Sequence, residues 1–116
     1  MRHNATRHID EPSPLSEAVL LILLSLAEQP RHGYSILKDV EEMSSGRVIL
    51  STGTLYGALR RLMESTWIER FEEDDAVRDR LAYRLTAIGR KQLRAEVGRM
   101  GHLMRLANLR VVGEGK

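Results

Sequence analysis

The segment Leu15–Glu28 constrains this chain more than any other. Its apolar residues Leu15, Val19, Ile22, Leu23 and Leu26 recur at helical spacing. Leu20, Leu21 and Leu24 widen that stripe until the helix is apolar nearly all round. Such a helix must be covered on more than one side. A chain of 116 residues has little core surface to spare, so the second apolar side is expected to meet another subunit. Pro30 and Gly33 end the helix, through a missing donor and a permissive backbone. The continuous run Ala18–Leu24 is far shorter than the roughly 20 residues a membrane span needs. Met1–Pro14 is charged, holds two prolines and lacks the apolar stretch of a signal peptide. No membrane partner is expected, and residues 1–14 read as a disordered arm.

Beyond this helix the chain changes period several times. Gly33–Met43 reads as a second helix with Ile36, Leu37 and Val40 inward, and Ser44-Ser45-Gly46 as a turn. A third helix begins near Ser51 or Thr52, where a hydroxyl can cap free backbone donors, and runs to about Ser65. Trp67–Glu72 alternates in part. Arg80–Leu85 alternates more cleanly, with Leu81, Tyr83 and Leu85 on one face and Arg80, Ala82 and Arg84 on the other. The charged stretch between them makes the pair a hairpin. From Thr86 a final helix runs to about Asn108.

Three helices, a hairpin and a long helix, in that order, are the layout of a winged helix-turn-helix with an appended helix: mainly α with a small β-hairpin. In that layout the third helix enters the major groove, which is wide enough for one helix. Winding residues 51–65 at about 3.6 residues per turn puts Leu55, Leu59, Leu62 and Met63 on one face. The other face carries Gly53, Tyr56, Gly57, Arg60 and Arg61, with Ser51, Thr52 and Thr54 at the amino end and no acid before Glu64. Hydroxyls, arginines and glycines suit close approach to phosphates and base edges, whereas a plain surface helix avoids glycine.

Several chemistries fall away. With no cysteine, disulfides and thiolate metal sites are excluded, which suits a cytoplasmic location. The histidines His3, His8, His32 and His102 lack metal-ligand spacing. His32, beside a helix start, is expected to cap or pack there. No convergent acid–base pair is visible, so neither catalysis nor a cofactor is expected. The formal charge of +2 identifies no partner by itself.

Residues 51–62, Ser-Thr-Gly-Thr-Leu-Tyr-Gly-Ala-Leu-Arg-Arg-Leu, resemble the recognition helix of PadR-family transcriptional regulators. His32-Gly33-Tyr34, Ile68-Glu69 and Tyr83-Arg84-Leu85-Thr86-Ala87-Ile88-Gly89 resemble the same family in the same order, and the likeness extends over about Leu15 to Leu106. The resemblance implies a dimeric, repressor-like protein with a carboxy-terminal dimerisation helix, and DNA contact by Thr52, Thr54 and Tyr56. It also implies a small hydrophobic or aromatic effector between the subunits. No Phe, Trp or Tyr follows Tyr83, so such a pocket would rest on Leu, Met and Trp67. The chain departs from the family at Gly57, where proline is frequent, and at Thr66, where glycine is usual. A β-branched Thr66 would be strained at the positive φ that glycine adopts cheaply.

In the wing, Glu72, Glu73, Asp74 and Asp75 would repel phosphate, while Arg78 and Arg80 are expected to face it. The last helix repeats apolar residues at Leu93, Val97, Met100, Met104 and Ala107, a heptad seam. With Leu20 and Leu24 of the first helix it forms the expected dimer surface. The resulting division is an arm (1–14), a winged helix-turn-helix (15–86), a dimerisation helix (87–110) and a flexible tail (111–116). The functional expectation is a homodimeric DNA-binding regulator. Its alternative is a winged-helix module that docks protein without DNA, which the modest net charge and acidic wing would suit.

Overall fold

A computed structural model of the protein describes residues 15–73 and 80–112. The elements run α1 (Glu17–Glu28), β1 (Arg31–His32), α2 (Gly33–Met43), α3 (Thr52–Glu64), β2 (Ile68–Glu73), β3 (Arg80–Leu85) and α4 (Ala87–Ala107). A π-helical turn, Asn108–Val112, continues α4, so the helical path runs on past residue 110, where a flexible tail was expected. The arm, most of the wing loop including Arg78, and residues 113–116 lie outside the described residues.

Hydroxyl residues begin three of the four helices. Ser16, Ser51 and Thr86 accept from the backbone N–H of Val19, Thr54 and Gly89, each three residues on. α2 lacks such a cap. His32 stands at its cap position but makes no side-chain cap; instead its Nδ1 lies 3.1 Å from the Leu81 carbonyl. That contact belongs to β1, whose two residues are too short to leave any periodicity in the sequence.

The sheet order is β1-β3-β2, all antiparallel, with Arg31 opposite Tyr83 and His32 opposite Ala82. A neighbour on each side makes β3 the central strand, and the simple alternation expected of it fails there. Ala82 and Tyr83 are both buried, while Leu81, nearer the loop end of the wing, is 44% exposed.

Ile22, Leu23 and Leu26 of α1, Ile36 and Val40 of α2, Leu55 and Leu59 of α3, and Ile68 of β2 form the core. α1 packs against α2 and β3 and also against α4. Its second apolar side is therefore met largely inside the protomer, with Leu20 and Leu24 half-buried against the core. Leu93 likewise departs from the expected intersubunit seam, because the first turns of α4 lie on the core and bury it to 5% exposure.

Two fastenings set the direction of α3. Before its amino end, Arg47 in the α2–α3 connection pairs with Glu17 at the start of α1; hydrogen bonding from the Arg47 guanidinium holds the Glu17 carboxyl below its ordinary value of 4.5. At its carboxy end the chain reverses through Thr66, whose φ is +62°. The Thr66 N–H bonds the Met63 carbonyl and the Trp67 N–H the Leu62 carbonyl, at 2.9 and 3.0 Å, a Schellman closure of the helix. The Thr86 hydroxyl donates to the Thr66 carbonyl at 2.6 Å. Gly89 packs so closely on the Trp67 carbonyl that a Cβ would collide with it. The end of α3, the start of the wing and the start of α4 thus form one joint.

Candidate nucleic-acid interface

α3 buries Leu55, Ala58, Leu59 and Leu62 and turns the rest of its circumference outward. Ser51, Thr52, Gly53 and Thr54 are all exposed at its amino end, as are Arg60 and Arg61 further along. Gly53 and Arg60 lie along the outward line, with half-buried Gly57 beside them and the first acid only at Glu64. A Cβ on Gly53 would meet nothing within 4 Å. No contact inside the protomer therefore requires glycine there, although it costs a helix interior about 1 kcal/mol relative to alanine.

The neighbouring side chains are less alike than their sequence suggests. Tyr56 is 42% exposed, and its hydroxyl sits against Gly33, where any Cβ would collide with it. It also flanks the buried Tyr83, whose phenol is pushed up chiefly by burial and further by Tyr56, while Arg70 acts in the opposite direction. Tyr56 thus ties α3 to the start of α2 and to the sheet, besides being partly open to solvent. Arg60 and Arg61 diverge. The Arg61 guanidinium passes 3.6 Å from the position a Cβ would take on Gly57. Arg61 also borders an apolar recess of about 190 Å³ formed with Leu15, Val19, Ala58, Leu62, Ser65 and Trp67.

Arg84 is engaged by Glu69 at 2.7 Å and lies 4.3 Å from the centroid of the Phe71 ring. Arg80 is placed by its backbone opposite Glu73, at the loop end of the hairpin. Periodicity gave no warning of two conspicuous exposed residues, Tyr34 and Ile49, each 70% open. Both sit at element boundaries, where helical spacing carries no signal. Lys38 lies 5.9 Å from the Tyr34 ring centroid.

A second exposed surface runs along α4. Val97, Met100, Met104 and Ala107 are open to solvent, and so are Leu103, Leu106, Leu109 and Val111. The apolar surface is therefore broader than one heptad seam. Among the described residues no group of His, Asp and Glu could hold a metal ion, and no helix is long and apolar enough to cross a membrane.

Two packed helices, the second outward-facing and followed directly by a β-hairpin, define a winged-helix protein of the DNA-binding type. The profile of the PadR-like family of transcriptional regulators matches residues 22–95. The chain belongs to that family. It is 38% identical over 88 residues to an uncharacterised 37.1 kDa protein in transposon TN4556 of Streptomyces fradiae, a match covering 76% of this chain. The match takes in only 24% of that relative, so this chain spans about a quarter of its length. Among solved structures, a PadR family transcription regulator from Clostridium difficile R20291 superposes with a TM-score of 0.71 at 22% identity, covering 83% of this chain and 99% of that one. Bacillus subtilis PadR in complex with operator DNA superposes with a TM-score of 0.63 at 20% identity, covering 72% of this chain and 48% of the other. At these identities the likeness is one of fold.

Proposed function

We propose that two copies of this chain, joined through α4 and the outer side of α1, bind a palindromic operator and repress the gene beside it. The observation that carries this reading is the exposed ridge of α3: Ser51, Thr52, Gly53, Thr54 and Arg60, free of acid until Glu64. Tyr56 and Arg61 flank it. In a two-fold dimer the two ridges enter successive major grooves about 34–36 Å apart, and bound operator excludes polymerase. Arg78 and Arg80 of the wing are assigned to the flanking phosphates. The complex of Bacillus subtilis PadR with operator DNA supports the partner, and the bare apolar face of α4 supports the dimer.

Release by a small hydrophobic or aromatic effector completes the proposal. The recess beside Trp67, about 190 Å³ in volume, has room for little more than a single ring. Because Trp67 is the only tryptophan, its emission reports occupancy directly.

A salt titration on duplex DNA tests the central claim. Log affinity should fall steeply with log salt, by about 0.9 per phosphate neutralised, and Arg60→Ala should weaken operator binding about tenfold with the melting temperature unchanged. A flat salt response would transfer the assignment to a protein-docking winged helix.

A further inference from the structure

We infer that the amino-terminal half of α3 reads thymine through its C5-methyl group, with Ile49 and Thr54 as the residues that set this specificity; the inference rests on the DNA-binding reading above. Residues 48–59 contain no Arg, Lys, Asn, Gln, Asp or Glu. Those are the side chains that pair bidentately with guanine or adenine, or accept from cytosine. The first two turns of the helix therefore offer hydroxyl and methyl groups to a base edge, beside the partly open ring of Tyr56. The cap then divides them. The Ser51 hydroxyl donates to Thr54 Oγ1 at 2.9 Å and accepts from the Thr54 N–H at 3.1 Å. With its oxygen turned back to the cap, Thr54 has its methyl as the free branch of an exposed side chain.

Ile49 adds a second aliphatic group two residues before the cap. It is 70% exposed, whereas its neighbours Val48 and Leu50 pack against the core. The open surface at Gly53, where a Cβ would meet nothing within 4 Å, leaves the approach to Thr54 unobstructed. The thymine methyl is the apolar feature of the major-groove edge. Exposed methyls at Ile49 and Thr54, with no bidentate side chain before Arg60, match that feature of thymine.

The test uses the full chain and an operator selected from random duplexes. Each half-site thymine is replaced in turn by deoxyuridine, which removes the methyl alone, and affinity is measured by anisotropy at fixed salt. One or two thymines per half-site should each lose about fourfold in affinity, the worth of one buried methyl. Thr54→Ser keeps the hydroxyl that accepts from Ser51 and removes only the side-chain methyl; it should fold normally and abolish the penalty at one thymine. Ile49→Ala should abolish it at another. Tight binding that is indifferent to every deoxyuridine, or penalties unchanged in both variants, would overturn the inference and leave DNA binding standing. Failure to bind any duplex would overturn both.

Discussion

Two regions of this protein handle their aliphatic side chains in opposite ways. Within the winged-helix body, Ile22, Leu23, Ile36, Leu55 and Leu59 are at most 1% exposed, each enclosed by neighbours from several elements. Along the arm formed by α4 beyond Leu93 and its π-helical continuation, Val97, Leu103, Met104 and Leu109 are 48–74% exposed. Composition does not separate the two regions, since both are rich in Leu. What separates them is the number of neighbours the chain can bring. The body has three helices and a sheet around one centre, whereas the arm has only itself. The body thus closes most of its apolar surface within one chain, whereas the arm leaves its apolar side chains open.

Substitutions can break this comparison. Leu59→Ala, in the sealed body, should cost roughly 2–5 kcal/mol by emptying a filled site, a large share of the about 5–15 kcal/mol that holds a domain together. Chemical denaturation should show its midpoint collapse. Met104→Glu, on the arm, should raise the dimer dissociation constant about thirtyfold, because a carboxylate without a partner would be buried in the interface. Sedimentation should record monomer while the body still melts cooperatively. If Met104→Glu unfolded the body, or left the dimer intact, the division into body and arm would be wrong.

The joint between the two regions sharpens the contrast at a smaller scale. Thr66 occupies a left-handed conformation, φ +62°, that costs an ordinary L-residue about 1–2 kcal/mol. Thr66→Gly should therefore raise stability by about 1 kcal/mol, less than either change above, and leave operator affinity unaltered. A drop in melting temperature would mean that the threonine side chain supports the joint and does not strain it.

Much of this layout was legible in the residues. The bounds of α2 and β3 follow from period alone, and the strained turn at Thr66 follows from a β-branched residue standing where glycine is usual. Other features were hidden for physical reasons. β1 is two residues long and exists only because β3 has a free edge beside it. The burial of Ala82 depends on β3 being the middle strand, which alternation within one strand cannot reveal. Leu93 belongs to the same heptad as Val97 and Met100, yet only the packing angle of α4 decides that the first faces the core and the others face solvent. The seat of Tyr56 on Gly33 joins residues 23 positions apart, and Ile49 stands open in a loop without period.

Local patterning decided the elements of this protein, because period, capping hydroxyls and turn residues act within a few positions of themselves. It also determined the chemical character of the α3 ridge, since a helix must turn outward whatever its apolar stripe excludes. Tertiary structure decided which apolar residues were used up inside the chain and which were left over. That outcome depends on how many elements converge on each point in space, a quantity no stretch of sequence carries.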